Sequence, residues 1–192
     1  MTKGLLMEKK IIIAGFGGQG VILSGVILAQ AGVEANLKVA LVPSYGPEMR
    51  GGTAHCDVIL NDTDIFSPII VHPDILVAFN QPSLECFVPK VVESGLVLYN
   101  SDLCTPDQKR DGLVYHGIPA NGLATNLGNH RIANVIMLGA LVGLTGLFPA
   151  EAVLDFALTA VMTKEKAKLI PINRKAFSAG WEHARGLSSA GQ

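Results

Sequence analysis

Gly15, Gly17 and Gly20 follow the spacing G-x-G-x-x-G between the apolar run Ile11-Ile12-Ile13 and the apolar stretch 21–29. A buried strand, a glycine turn and a helix are expected in direct succession. Glycines at such a turn permit a tight reversal, close approach of backbone to a ligand and close packing of helix on strand. Unpaired N–H groups and the positive end of the helix dipole suit a phosphate or carboxylate there. The same glycines also serve if the turn does no more than pack strand on helix, and at this point both readings stand. A dinucleotide fold would place Asp or Glu at the end of the second strand, about 20 residues on, to hold the ribose hydroxyls. That region reads Lys38-Val39-Ala40-Leu41-Val42-Pro43-Ser44-Tyr45 and has no carboxylate. Glu34 falls within the predicted helix and Glu48 in a later loop, which argues against a nicotinamide or flavin dinucleotide.

The second chemically equipped segment is Pro43-Ser44-Tyr45-Gly46-Pro47-Glu48-Met49-Arg50-Gly51-Gly52. Its prolines and glycines shape a loop in which Tyr45 supplies an aromatic face, Glu48 a carboxylate and Arg50 a guanidinium. Arg50 suits a ligand phosphate or carboxylate held bidentately; pairing with Glu48 or with a facing subunit is the structural alternative. The loop follows the second strand, so in a doubly wound fold it opens on the same sheet edge as the glycine turn.

Other polar residues carry less. Cys56, Cys86 and Cys104 lie far apart without a C-x-x-C, which argues against a zinc site or an iron–sulfur cluster held by this chain; reduced, half-buried thiols of a cytosolic protein are expected. His55 stands alone on a predicted strand, His72 and His116 sit at loop edges, and His130 at the mouth of an apolar helix serves as a cap or surface residue, or as a ligand contact. No metal-ligand spacing and no catalytic pair can be proposed from order, so neither a catalytic nor a metal-binding residue is assigned.

The elements that must position these loops read as one α/β domain over the 192 residues. Strands are predicted at 39–42, at 53–60 with period-two alternation, at 75–79, 96–99 and 113–115. Asn80-Gln81-Pro82-Ser83 opens a helix. The last third turns helical at 132–148, 150–161 and 173–184, with Phe177, Trp181 and Ala184 on one face, and Lys164-Glu165-Lys166-Ala167-Lys168 as a solvated stretch between helices. The expected product is a Rossmann-like, doubly wound, mostly parallel sheet with helices on both faces and a hairpin-like edge at 39–60. The run 132–148 is shorter than the roughly 20 residues that cross a bilayer and contains Asn134 and Thr145. It reads as a helix covered all round, with a partner subunit expected to complete the cover. A net charge of −1 without a basic patch gives no attraction for nucleic acid or an anionic membrane. Only 16% of residues are charged, low for a soluble chain, so subunit contacts or self-association of the isolated chain are expected.

Gly15-Phe16-Gly17-Gly18-Gln19-Gly20-Val21, Ser44-Tyr45-Gly46-Pro47-Glu48-Met49-Arg50-Gly51-Gly52 and Pro73-Asp74-Ile75-Leu76-Val77-Ala78 together resemble the gamma subunit of the thiamine-dependent 2-oxoacid:ferredoxin (acceptor) oxidoreductases. The resemblance spans essentially the whole chain, and the second loop is more similar to the 2-oxoglutarate type than to the pyruvate type. It implies a cytoplasmic, multi-subunit enzyme that decarboxylates a 2-oxoacid on thiamine diphosphate with magnesium, passes electrons through iron–sulfur clusters to ferredoxin and transfers the acyl group to coenzyme A. Thiamine and clusters are then carried by alpha, beta and ferredoxin-like delta partners, and the isolated chain is expected to be inactive. The gamma chain completes the assembly and walls part of the active-site entrance. A contribution to coenzyme A binding would fall on Gly15, Gly17, Gly18, Gln19, Gly20, Tyr45, Glu48 and Arg50. The rival reading is a free-standing mononucleotide-binding or regulatory module that uses the same glycine turn.

Overall fold

The computed structural model describes residues 8–46, 53–150, 152–161 and 164–190. Its centre is strand β1 (Lys9–Phe16), whose three isoleucines are inaccessible because both faces of the strand are covered. Helix α1 (Val21–Glu34) leads to β2 (Lys38–Tyr45) and β3 (Thr53–Asn61). Next come β4 (Ile75–Ala78), helix α2 (Gln81–Phe87), β5 (Leu96–Asn100) and β6 (Val114–Ile118). The six strands lie in the order β2-β3-β1-β4-β5-β6. β1, β4, β5 and β6 pair in parallel, whereas β3 runs antiparallel to both β1 and β2. The mostly parallel sheet and its hairpin edge thus match the expectation from sequence. That β3 inserts between β2 and β1 was not foreseen.

β2 also runs further than predicted, through Pro43 and Ser44 to Tyr45. The proline signalled a loop. Here it is tolerated because β2 is an edge strand, where a missing backbone donor can face outward. β3 alternates as predicted from Thr53 to Val58: Ala54, Cys56 and Val58 are buried, as is Leu60, while Thr53, His55 and Asp57 on the other side are less covered; Ile59, expected with the latter, is instead fully buried in the core on that face.

The two faces of the sheet differ in cover. On one, α1 packs with α3 (Ala120–Asn126), α4 (Ala133–Thr145) and α6 (Ile170–Ala190) over Ile11, Ile13, Val77 and Leu98. On the other, α2 and loop residues such as Ile70 and Cys104 cover Ile12, Leu76 and Val97. α2 begins as its sequence predicts: Asn80 caps it by accepting from Ser83 N at 2.9 Å, with Pro82 in the first turn. Its far end is held by Arg110, whose guanidinium donates to the carbonyls of Val88, Pro89 and Val91 at 2.7–3.1 Å.

α4 is buried from Asn134 to Val142, and its cover comes from within the chain. α6 lies so close that a Cβ on Gly139 would strike the Phe177 carbonyl, and one on Gly180 the Ile136 carbonyl. The expected partner subunit is not needed for this helix. No helix among the described residues is long and apolar enough to cross a membrane. The helix predicted at 150–161 is instead a π-helical turn, Ala152–Ala157, followed by the short α5 (Leu158–Val161), and α6 extends beyond the predicted 173–184 at both ends.

Candidate functional site

Five strands point their carboxyl ends at one edge of the sheet, and the glycine turn lies there, as ligand sites do in open α/β sheets. Gln19 N donates to Phe16 O at 3.1 Å, closing a four-residue turn with Gly18 third at φ 98°. That position of a type II turn calls for glycine. Gly20 follows at φ 78° and opens α1. The left-handed glycines are therefore Gly18 and Gly20, whereas Gly15 is fixed by crowding: a Cβ there would sit 2.8–2.9 Å from Gln19, Val21 and Phe79. Close packing of α1 on the sheet falls to two glycines outside the motif. A Cβ on Gly25 would meet Cys56, and one on Gly32 would meet Leu60.

Gln19 holds the turn shut. Its Oε1 accepts from Phe16 N at 2.7 Å and from Asn80 Nδ2 at 2.9 Å, and its Nε2 donates to Phe79 O at 3.4 Å. A residue read as a candidate ligand contact thus has its side-chain amide engaged within the fold. The backbone N–H groups of the first turn of α1 are differently placed. They have no side-chain cap and no acidic residue beside them, which leaves the helix end suited to an anion.

Tyr45 reaches the same end of the sheet. It pairs with Ala54, which pairs with Gly15, so two strand spacings, about 10 Å, separate it from the turn. Cross-strand partners share a face, and Tyr45 lies on the α1 side with 68% of its surface exposed. Glu48 and Arg50 lie outside the described residues, as does the rest of the loop at 47–52.

Sequence reasoning missed Asn134. It is buried at the start of α4 and packs against Gly20, where a Cβ would lie 2.7 Å from its side-chain amide. Only the fold brings these residues, 114 positions apart, together.

A cleft of about 580 Å³ opens on the other face of the sheet, between β3 and α2, and includes His55, Asp57, His72, Cys86 and Lys90 in its lining. His55, which stands alone in the sequence, has neighbours here: its Nε2 is 3.9 Å from Asp57 Oδ1 and its ring centroid 5.2 Å from that of Phe87. Asp57 Oδ1 is buried without a hydrogen bond among the described residues. Burial pushes the Asp57 carboxyl above its ordinary value, against smaller opposing effects of His55, the Ile70 N–H and Lys90. His72 Nδ1 meets Lys90 O at 3.2 Å, and His130 Nδ1 meets Thr125 Oγ1 at 3.2 Å. Among the described residues no three His, Cys, Asp or Glu side chains gather as a metal site.

Two thiols are raised by burial. Cys56 is pushed up to about 12 and Cys104 to about 11, in both cases chiefly by desolvation.

Residues 10–183 match the family model described as pyruvate ferredoxin/flavodoxin oxidoreductase. The chain is 43% identical over 181 residues to the ketoisovalerate oxidoreductase subunit VorA of Methanothermobacter marburgensis; the match covers 93% of this chain but only 37% of that protein's length. It is 36% identical to the 2-oxoglutarate synthase subunit KorC of Methanocaldococcus jannaschii, covering 94% of this chain and 96% of that one. Among solved structures it is similar to the gamma subunit of a keto/oxoacid ferredoxin oxidoreductase from Geobacter sulfurreducens, with a TM-score of 0.78 and 31% identity over 92% of this chain and 98% of that one.

Proposed function

Because the chain belongs to the pyruvate ferredoxin/flavodoxin oxidoreductase family, we propose that it serves as the gamma subunit of a 2-oxoacid:ferredoxin oxidoreductase. The observation that carries this reading is likeness at nearly full length on both sides to a 2-oxoglutarate synthase subunit and to a gamma subunit of known structure. In this role the chain works in the cytoplasm with alpha, beta and ferredoxin-like delta partners that hold thiamine diphosphate, magnesium and iron–sulfur clusters, and ferredoxin takes the electrons. Its own part is to complete the assembly and to wall the active-site entrance with the sheet edge that carries the glycine turn and Tyr45. The uncapped first turn of α1 and Arg50 contribute to holding coenzyme A.

Phe66, Ile69 and Val71, in the connection between β3 and β4, are 97%, 70% and 62% exposed and supply an apolar surface for subunit contact or for self-association of the isolated chain. We propose 2-oxoglutarate as the substrate on the wording of the second loop. The relative named for ketoisovalerate makes that 2-oxoacid the competing substrate.

A tagged copy purified from its native cell tests the assignment. Stoichiometric partners bearing thiamine and clusters are expected, with 2-oxoglutarate turned over faster than ketoisovalerate. Purification without stoichiometric partners would leave a free-standing nucleotide-binding or regulatory module as the better reading.

A further inference from the structure

We propose that this chain carries a phosphate-binding cleft where the first turns of α1, α4 and α6 meet, with Arg131, Asn134 and Asn173 as its polar contacts. The cleft measures about 530 Å³ and takes Leu23 from α1, Asn134 from α4 and Asn173 from α6 into its lining. None of these first turns carries an acidic residue; α4 and α6 each continue from a 3₁₀ turn, His130–Ile132 and Lys164–Leu169, so the open, uncapped helix end is that of α1. Arg131 adds a full charge on an exposed side chain at the rim.

The buried amides are an independent sign of a ligand. Asn173 is only 5% exposed, yet its side chain borders the cleft and makes no hydrogen bond among the described residues. Asn134 is 4% exposed; its Nδ2 reaches Gly20 O only at 3.5 Å, and its Oδ1 has no partner among the described residues. Buried side-chain amides are ordinarily paired. Two such groups on facing helices, both bordering one cavity, would find partners in a bound molecule. The open end of α1, a guanidinium and two amides favour the charge and several oxygens of a phosphate, while Leu23, Ile132 and Ile172 provide walls for an apolar arm. The cleft shares the first turn of α1 with the coenzyme A reading and rests on it to that extent, whereas Arg131, Asn134 and Asn173 are contacts of the cleft and the loop of Arg50 plays no part.

Titration of the full-length, ¹⁵N-labelled chain with inorganic pyrophosphate, at low and at high salt, tests it. Saturable amide shifts are expected together in the first turns of α1, α4 and α6, with affinity falling as salt rises. Arg131→Gln and Asn173→Leu should each weaken binding about tenfold, the worth of one charge-assisted hydrogen bond; the exposed site of Arg131 makes its variant safe for folding. Absence of saturable shifts, affinity unchanged in both variants, or tighter binding of succinate than of pyrophosphate would overturn the proposal. So would shifts confined to Gly17 and Gly18, which would put the anion at the glycine turn and leave the subunit assignment standing.

Discussion

Asn80 donates its side-chain amide to Gln19 Oε1 at 2.9 Å while its own Oδ1 accepts from Ser83 N. One side chain thereby joins the cap of α2 to the glycine turn that opens α1. Two helices on opposite faces of the sheet are tied at its carboxyl edge, next to the end of β1.

Gln19→Ala removes the acceptor shared by Phe16 N and Asn80 Nδ2. Leaving a buried donor unpaired costs about 1–3 kcal/mol, and both donors are only partly buried here. A loss of about 2 kcal/mol is expected, read as a lower urea midpoint with an unchanged slope. An unaltered midpoint would mean that water replaces Gln19 without loss.

The contact of α4 with α6 rests on glycines whose missing Cβ atoms let the two backbones touch. Gly180→Ala would push a methyl into the Ile136 carbonyl, which cannot move away as a flexible side chain would. Overpacking of this kind costs about 1–3 kcal/mol, more than the roughly 1 kcal/mol that alanine gains over glycine in a helix. Gly186→Ala, in the same helix but with open space around it, should instead stabilise by about 0.5–1 kcal/mol. Opposite signs in thermal unfolding of the two variants are the expected outcome.

The sequence made local features legible and left long-range ones hidden. The Asn80 cap with Pro82, the alternation along β3 and the isoleucines of β1 follow from propensity and period within a few residues. The insertion of β3 between β2 and β1 does not, because strand order depends on contacts between distant segments. For the same reason Gln19 read as a ligand contact when its partner is Asn80, and Asn134 drew no notice as a neighbour of Gly20. Pro43 misled because its meaning depends on whether the strand lies at an edge. The cover of α4 was assigned to a partner subunit because its apolar sequence shows that it is buried but not by what.

Reactivity should separate the three cysteines. Cys86 is exposed on α2, whereas Cys56 and Cys104 are buried with their thiols held well above the ordinary range. Only thiolate attacks a disulfide reagent. In the folded chain the reagent should titrate Cys86 alone, and denaturation should release the other two. Rapid reaction of Cys56 without denaturant would show that α1 opens from the sheet.

Arg50 and Gly17 test the coenzyme A role in the assembled enzyme. If the glycine turn and Arg50 form one anion-binding corner, Arg50→Ala removes charge-assisted hydrogen bonds worth about 1.5–3 kcal/mol, and a bulkier residue at Gly17 crowds the approach of a phosphate to the turn. Both should raise the KM for coenzyme A while leaving the thiamine-dependent decarboxylation half-reaction nearly intact. Unchanged coenzyme A dependence in an assembled Arg50→Ala complex would assign the loop to subunit contact.

Asp57 gives the stability of this chain a dependence on acid. Desolvation raises its carboxyl above the value of 3.8 that it has when unfolded, so between the two values the folded chain binds more protons than the unfolded one. Stability must then fall as pH rises through that window. The contribution is fully present below the unfolded value and is lost once the folded carboxyl ionises, because the charge sits in a buried place where Oδ1 has no hydrogen bond among the described residues. Asp57→Asn keeps the shape and removes the charge. It should unfold at a higher urea midpoint than the native chain at pH 7, and the gap should narrow as the pH falls toward 4. A gap that widens in acid would mean that His55, 3.9 Å away, stabilises the carboxylate by more than burial costs it.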